Sequence, residues 1–273
     1  MKQVTVIKNN FDVLPQTGGT ALVVGNFEGV HKGHQALLKK LVQVARSKQL
    51  TPCVYTFYPH PKKFFNKAGA PKRLMSLSQK VWRLCDHGIE AVVTKPFTSQ
   101  FASMTFDAFL NHLKNYLNVK YLLVGEDFAF GKNREGTVKT LQEYAPKMGF
   151  EVEVVQDVLN LEDQRYSSTL VRDLLASGQV KAAGYQLGFP VCYKTYLYED
   201  DFCNLVAHLN GYSAIKNGVY FMKVEYTAPV EGYESAVVPA RVENSKAYIA
   251  PLPQLPNLVE GRVYLSLIDK IEK

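Results

Sequence analysis

The stretch LVVGNFEGVHKGHQALLKKL, residues 22–41, passes from an apolar run through a glycine-rich turn into a helical pattern. The run stops at Gly25, and His31 and His34 then bracket Gly33. From Gln35 to Lys48, Leu37, Leu38, Leu41, Val42, Val44 and Ala45 recur at helical spacing, with lysines and Arg46 opposite. The pattern predicts a strand at 21–25 and a helix over 35–48, with His31 before its first turn and His34 inside it. A helix start offers unpaired N–H groups and a partial positive charge, and glycine lets backbone approach closely, so this arrangement can cradle phosphate. It is neither G-x-G-x-x-G nor G-x-x-x-x-G-K-[ST], which excludes a dinucleotide fingerprint and a P-loop. Imidazoles there can donate hydrogen bonds to phosphate oxygens that gain charge in a transition state. The alternative is two loop histidines that do no more than cap a helix.

Working outward, strand-like and helix-like segments alternate over residues 20–190. PCVYTF (52–57), EAVVT (90–94), VKYLLVG (119–125) and EVEVV (151–155) read as strands. Residues 78–87, 105–117 and 138–148 read as helices, and another begins near Ser167. This alternation predicts an α/β domain with a parallel sheet covered on both faces. Ligands bind such sheets outside the carboxyl ends of the strands, so the segments after Gly25, Phe57 and Gly125 are expected to converge. Beyond residue 190 the chain turns Tyr- and Val-rich, as in NGVYFMKVEY (217–226) and GRVYLSLIDKI (261–271), which predicts a smaller antiparallel β domain. The junction is expected near Gly188–Pro190, giving domains 1–187 and 188–273.

The 273 residues allow one large domain or two of ordinary size. With 47% apolar and 21% charged residues, a packed core is expected. No apolar run approaches the ~18 residues of a membrane span. The opening MKQVTVIKNNFDVL lacks a signal peptide's apolar segment, so the chain reads as cytoplasmic. Cys53, Cys85, Cys192 and Cys203 show no C-x-x-C spacing, which argues against a thiolate zinc site or a disulfide framework. The net charge of +7 suits anionic partners, either nucleic acid or phosphorylated small molecules. No basic run interleaves with aromatics, which weighs against nucleic acid. A membrane partner is not expected, and a homo-oligomer stays open.

GNFEGVHKGH closely resembles the G-x-F-D-G-V-H-x-G-H form of the H-x-G-H nucleotidylyl transferase signature found in the prokaryotic riboflavin kinase/FAD synthetase family. Glu28 stands where that family usually has Asp. Three further stretches resemble the same family in order: TFYPHPKKFF (56–65), VGEDFAFGKNREG (124–136) and RYSSTLVRDLLASGQV (165–180), the last with Val171 for Ile. The resemblance covers roughly residues 15–190. It implies a Rossmann-like nucleotidylyl transferase domain that moves AMP from ATP to FMN, giving FAD and pyrophosphate, with Mg²⁺ carried on the substrate phosphates. It places His31, His34 and Arg172 at the reacting phosphates. Gly25, Asn26, Phe27, Gly33, Arg165, Ser168 and Thr169 would bind ATP, and His60, Asp127 and Phe128 would lie on the flavin side. Taken singly, His60 also reads as a surface loop residue between prolines, Phe128 as a core aromatic, Asp127 as a turn former, and Ser167 or Ser168 as an N-cap. Arg73, Arg83 and Arg134 read as solvated or structural charges.

The second domain departs from the family. NGVYFMKVEY resembles the G-V-Y strand of the family's kinase barrel, yet NLVAHLN (204–210) lacks the Pro-Thr-Ala-Asn series expected there. KAYIAPL (246–252) has no carboxylate where the family carries Glu-Val-His. A kinase needs a base for the acceptor hydroxyl and ligands for MgATP, so riboflavin kinase activity is expected to be lost. The competing readings are a bifunctional kinase/synthetase, a nucleotidylyl transferase with another phosphorylated acceptor, and a regulatory protein that binds flavin nucleotides.

Overall fold

The computed structural model describes residues 5–7, 18–65, 68–156, 159, 164–202, 204–228, 232–249 and 260–271. Residues 250–252 of KAYIAPL, Cys203 and most of the first 17 residues lie outside these. By packing, the chain divides into one unit of Met1–Pro71 with Lys80–Arg165, and another of Lys72–Gln79 with Tyr166–Lys273. Packing therefore groups the helices after Arg165 with the second unit, upstream of the composition change near Gly188.

In chain order the elements up to Val155 are β1 (Thr5–Ile7), β2 (Thr20–Val24), α1 (Lys32–Ser47), β3 (Thr51–Phe57), α2 (Pro61–Phe65), α3 (Leu77–Asp86), β4 (Ala91–Lys95) and α4 (Ser99–Ala102). There follow α5 (Phe106–Leu117), β5 (Val119–Gly125), β6 (Ala129–Phe130), β7 (Gly136–Thr137), α6 (Val138–Met148) and β8 (Glu151–Val155). Among the described residues, six strands form a sheet in the order β1-β4-β3-β2-β5-β8, with every pair parallel. Strands β2 and β3 are buried on both faces, which is why they read as continuous apolar runs without alternation. The chain first winds from β2 through β3 to β4 and then returns to the other side of β2 with β5. The topological switch point thus lies between β2 and β5, where open sheets of this kind bind ligands.

Helix α1 begins at Lys32, three residues before the expected Gln35, because His31 acts as its N-cap. Its buried face is Leu38, Leu41, Val42 and Ala45, the i, i+3, i+4, i+7 pattern of a helix lying on a sheet. Helix α5 is capped by Thr105, whose hydroxyl accepts from the Ala108 N–H, and is stopped by Asn118 at φ 45°. The two-strand ladder of β6 and β7 was not foreseen in the sequence; each strand is two residues long, too short for alternation to register.

The second unit holds α7 (Ser168–Ser177), α8 (Val180–Leu187), β9 (Cys192–Glu199), β10 (Leu205–His208), β11 (Gly218–Ala228), β12 (Gly232–Glu243), β13 (Lys246–Ile249) and β14 (Gly261–Ile271). The strands close into an antiparallel barrel in the order β10-β13-β12-β11-β14-β9. Alternation sets the lining: Tyr220, Met222 and Val224 point into the core while Phe221 faces out, and Val263 and Leu265 alternate with the exposed Tyr264. Closure leaves no sheet edge unpaired. The segment NLVAHLN supplies β10, which pairs with both β9 and β13. Among the described residues, no helix is long and apolar enough to cross a membrane.

Leu41 is fully buried between α1 and the sheet. Leu41→Ala is expected to cost about 2–5 kcal/mol, measurable as a lowered denaturation midpoint with little change of slope.

Candidate active site

The loop from β2 to α1 has an unusual backbone. Phe27 (φ 46°) and Val30 (φ 43°) both occupy left-handed conformations, although neither is glycine and Val30 is β-branched. Such residues cost about 1–3 kcal/mol each and persist only where their surroundings over-determine them. Several contacts do so. The Gly25 N–H donates to the Tyr55 carbonyl on β3 at 3.0 Å, and a Cβ on Gly25 would stand 3.1 Å from the Phe27 ring. The Asn26 carbonyl accepts from Thr56 Oγ1 at 3.1 Å and from Lys80 Nζ at 2.7 Å. The Gln35 side chain donates to the Val30 carbonyl at 2.8 Å.

This loop delivers His31 to the N-cap of α1 and His34 to its first turn, with Gly33 between them. The imidazoles stack, with ring centroids 3.7 Å apart and planes inclined by 21°. The Phe27 ring lies 4.9 Å from that of His34. The His34 backbone N–H donates to His31 Nδ1 at 3.4 Å. An accepting Nδ1 carries no proton, so the neutral His31 ring holds its hydrogen on Nε2, where it can donate to an anion. Burial, assisted by the positive charge of Arg165, lowers the His31 pKa to about 4. Burial also takes His34 well below the ordinary histidine value, helped by His31, Lys80 and Arg165. Both rings are therefore neutral at pH 7. Buried polar atoms at this place lack partners among the described residues: Asn26 Oδ1 and His34 Nδ1.

Lys80 and Glu28 were not read as a pair in the sequence. Lys80 is 3% exposed and Glu28 7%, with Nζ and Oε2 3.7 Å apart. Burial lowers the Lys80 pKa and Glu28 opposes that shift. A lysine inside an amphipathic helix pattern gives no sign that it will be buried; the partner lies 52 positions earlier and only the fold brings it near.

The remaining first-unit candidates lie on the loops after β3 and β5. His60 is the cap of α2, its Nδ1 accepting from the Lys62 N–H at 3.1 Å. Beyond it, exposed Phe64 and Phe65 meet Phe97 with centroids at 5.7 and 5.4 Å, and Phe97 continues to Phe57 and Phe101 at 5.4 and 5.5 Å. The repeated phenylalanines of KKFF and PFTSQF were the available signal for this cluster. Asp127 and Arg165, expected at different parts of a ligand, form an exposed ion pair at 3.5 Å. Arg134 donates to the Asp127 carbonyl at 3.5 Å. Phe128 stacks on Phe130 at 5.6 Å and packs against the core.

Ser168, Thr169 and Arg172 belong to the second unit, in the first turns of α7. Ser167 is the cap, its hydroxyl accepting from the Leu170 N–H at 3.1 Å, which decides between the two serines. Arg172 Nε donates to the Lys72 carbonyl at 3.0 Å. Arg73 is structural: its guanidinium lies over the Tyr212 ring at 4.2 Å, and its backbone pairs with the Gly211–Ser213 turn.

The depressed His31 pKa has a consequence for stability. An unfolded chain protonates this ring near pH 6.5 and the folded protein only near 4, so between these values the unfolded state binds more protons. Stability is full above about pH 6.5 and falls as pH drops through this window, by on the order of 3 kcal/mol for His31. Thermal melts across the window should show this slope, and His31→Gln, which cannot titrate, should reduce it and leave the share that His34 contributes in the same direction.

Residues 14–170 match the FAD synthetase family. The chain is 39% identical over 173 residues to the bifunctional riboflavin kinase/FMN adenylyltransferase of Haemophilus influenzae, covering 63% of this chain and 56% of that protein. It is 35% identical over 173 residues to a putative protein of the same description from Geobacillus thermodenitrificans, covering 63% of this chain and 92% of that one. The match to the Haemophilus influenzae relative thus spans little more than half of its length. A crystal structure of a macrolide-efflux protein from Streptococcus pneumoniae superposes with a TM-score of 0.82 at 25% identity, covering 100% of this chain and 92% of the other. With a parallel sheet, an H-x-G-H turn at its switch point and this match over more than half its length, the chain belongs to the FAD synthetase family.

Proposed function

We propose that the protein is an FMN adenylyltransferase: an FMN phosphate oxygen attacks the α-phosphorus of ATP in line, forming FAD and releasing pyrophosphate. The observation that carries this reading is the pair of stacked, neutral imidazoles at the start of α1, beside a strained loop at the sheet's switch point. No enzyme nucleophile is required, so catalysis consists of positioning and of stabilising charge on the transferred group. His31 donates from Nε2 to the phosphates, and His34 acts beside it. Gly25, Asn26, Phe27 and Gly33 shape the cradle. Arg165, Ser168, Thr169 and Arg172 take the remaining phosphate oxygens. His60, Asp127 and Phe128 belong to the flavin side, where the Phe64–Phe65–Phe97 cluster offers an apolar surface suited to a flat ring. Among the described residues no three His, Cys, Asp or Glu gather as a metal cage; a hard cation such as Mg²⁺ held chiefly by substrate phosphates and water fits that donor set.

We also infer that riboflavin is not phosphorylated. Two sequence departures support this, and so does the barrel: the segment in the place of the Pro-Thr-Ala-Asn series is the regular strand β10, with both edges paired. The second domain, taken as 188–273, then serves as a scaffold or binding module.

Purified protein incubated with Mg²⁺ and ATP should convert FMN to FAD and leave riboflavin unchanged when the flavins are separated by chromatography. FMN formed from riboflavin would return the kinase activity to the second domain. His31→Ala should lower FAD formation about 10²–10³-fold while the far-ultraviolet circular dichroism stays that of the folded chain; wild-type turnover would remove the imidazole from the reaction.

A further inference from the structure

We propose that Lys80 is a positioning residue: its ammonium, neutralised by Glu28, clamps the Asn26 carbonyl and so fixes the loop that sets His31 and His34. This rests on the adenylyl-transfer reading of the site. Lys80 comes from α3, remote in sequence from the H-x-G-H turn, and is among the few charged residues buried in the described chain. Its 2.7 Å bond to the Asn26 carbonyl is joined there by the 3.1 Å bond from Thr56 on β3. Two donors from two different elements thus hold one carbonyl, immediately before the left-handed Phe27 whose ring packs on His34. An isolated buried ammonium would be too costly to keep, and Glu28 at 3.7 Å supplies the counter-charge. Glu28 lies in the same loop, between Phe27 and Val30, so the pair ties the loop to α3 twice.

The same geometry bears on protonation. The charged or titratable groups that act on His34 are His31 from its own helix start, Lys80 from α3, and Arg165. Each disfavours an imidazolium, and Lys80 is the one fixed in place by the clamp. Burial contributes most to keeping His34 neutral, and Lys80 adds to it after His31.

The test compares Lys80→Met, Lys80→Met/Glu28→Gln and Thr56→Val in the full chain. The double variant removes both buried charges, so a loss of turnover in it is not the penalty of an orphaned ion. The expected result is a folded double variant whose kcat for FAD formation falls about 100-fold, with KM for ATP changed much less, and a smaller loss of the same kind in Thr56→Val. In Lys80→Met, removal of the positive charge lets His34 protonate more readily, so its ring signals titrate at higher pH by nuclear magnetic resonance and the acid limb of kcat moves the same way. Folded variants with wild-type kcat and an unmoved His34 titration would overturn the proposal. So would an unfolded double variant alongside a Thr56→Val protein of unaltered turnover. Should the wild type make no FAD, the adenylyltransferase reading fails by itself. The clamp is still decided by the ring resonances of His31 and His34, which should move in both the charge-free double variant and Thr56→Val if the Asn26 carbonyl is held as described.

Discussion

The carbonyl of Asn26 is the point on which the first unit's site depends. It accepts hydrogen bonds from Thr56 and Lys80, and the chain immediately after it enters a left-handed conformation at Phe27 and again at Val30. Left alone, such a segment would relax to an ordinary turn. Held from β3 and α3 together, it turns sharply enough to place His31 as an N-cap and to bring its ring into stacking contact with that of His34. The placement of the two imidazoles is thus a property of the packing around the loop more than of the loop itself.

Electrostatics then select one form of the site. Burial and the neighbouring cations keep both imidazoles uncharged, and the helix cap occupies Nδ1 of His31. What remains is an Nε2–H donor held in place at the positive end of a helix. The chain's net charge of +7 favours anions in general. Asp127 counters this locally by pairing with Arg165, an exposed contact whose own stabilisation is small.

The barrel and the sheet show two different uses of β structure. The central strands β2 and β3 are buried along almost their whole length because both faces are covered, whereas the edge strand β8 carries Glu151 and Glu153. The antiparallel strands alternate because only the inner face is buried. The short strand β10 pairs with both β9 and β13, so that segment is committed to closing the barrel.

Much of this could be read from the chain alone. Short apolar runs gave the sheet strands from β2 to β8, and a 3.6-residue repeat gave helix α1, so the α/β class was legible. Strand β1, three residues long, was not. The glycine turn and the two histidines were visible by their order. Local chemistry narrowed the cap of α7 to Ser167 or Ser168, and the structure chose Ser167; the cap at Thr105 likewise acts within three residues of itself. Tertiary structure alone decided the rest. The buried Lys80–Glu28 pair, the Phe64–Phe97 cluster, the contact of Asp127 with Arg165 and the joining of Tyr166–Leu187 to the second unit all connect residues far apart in the chain. Whether a charge is buried, and which partner neutralises it, depends on distances that exist only after the strands have taken their order in the sheet.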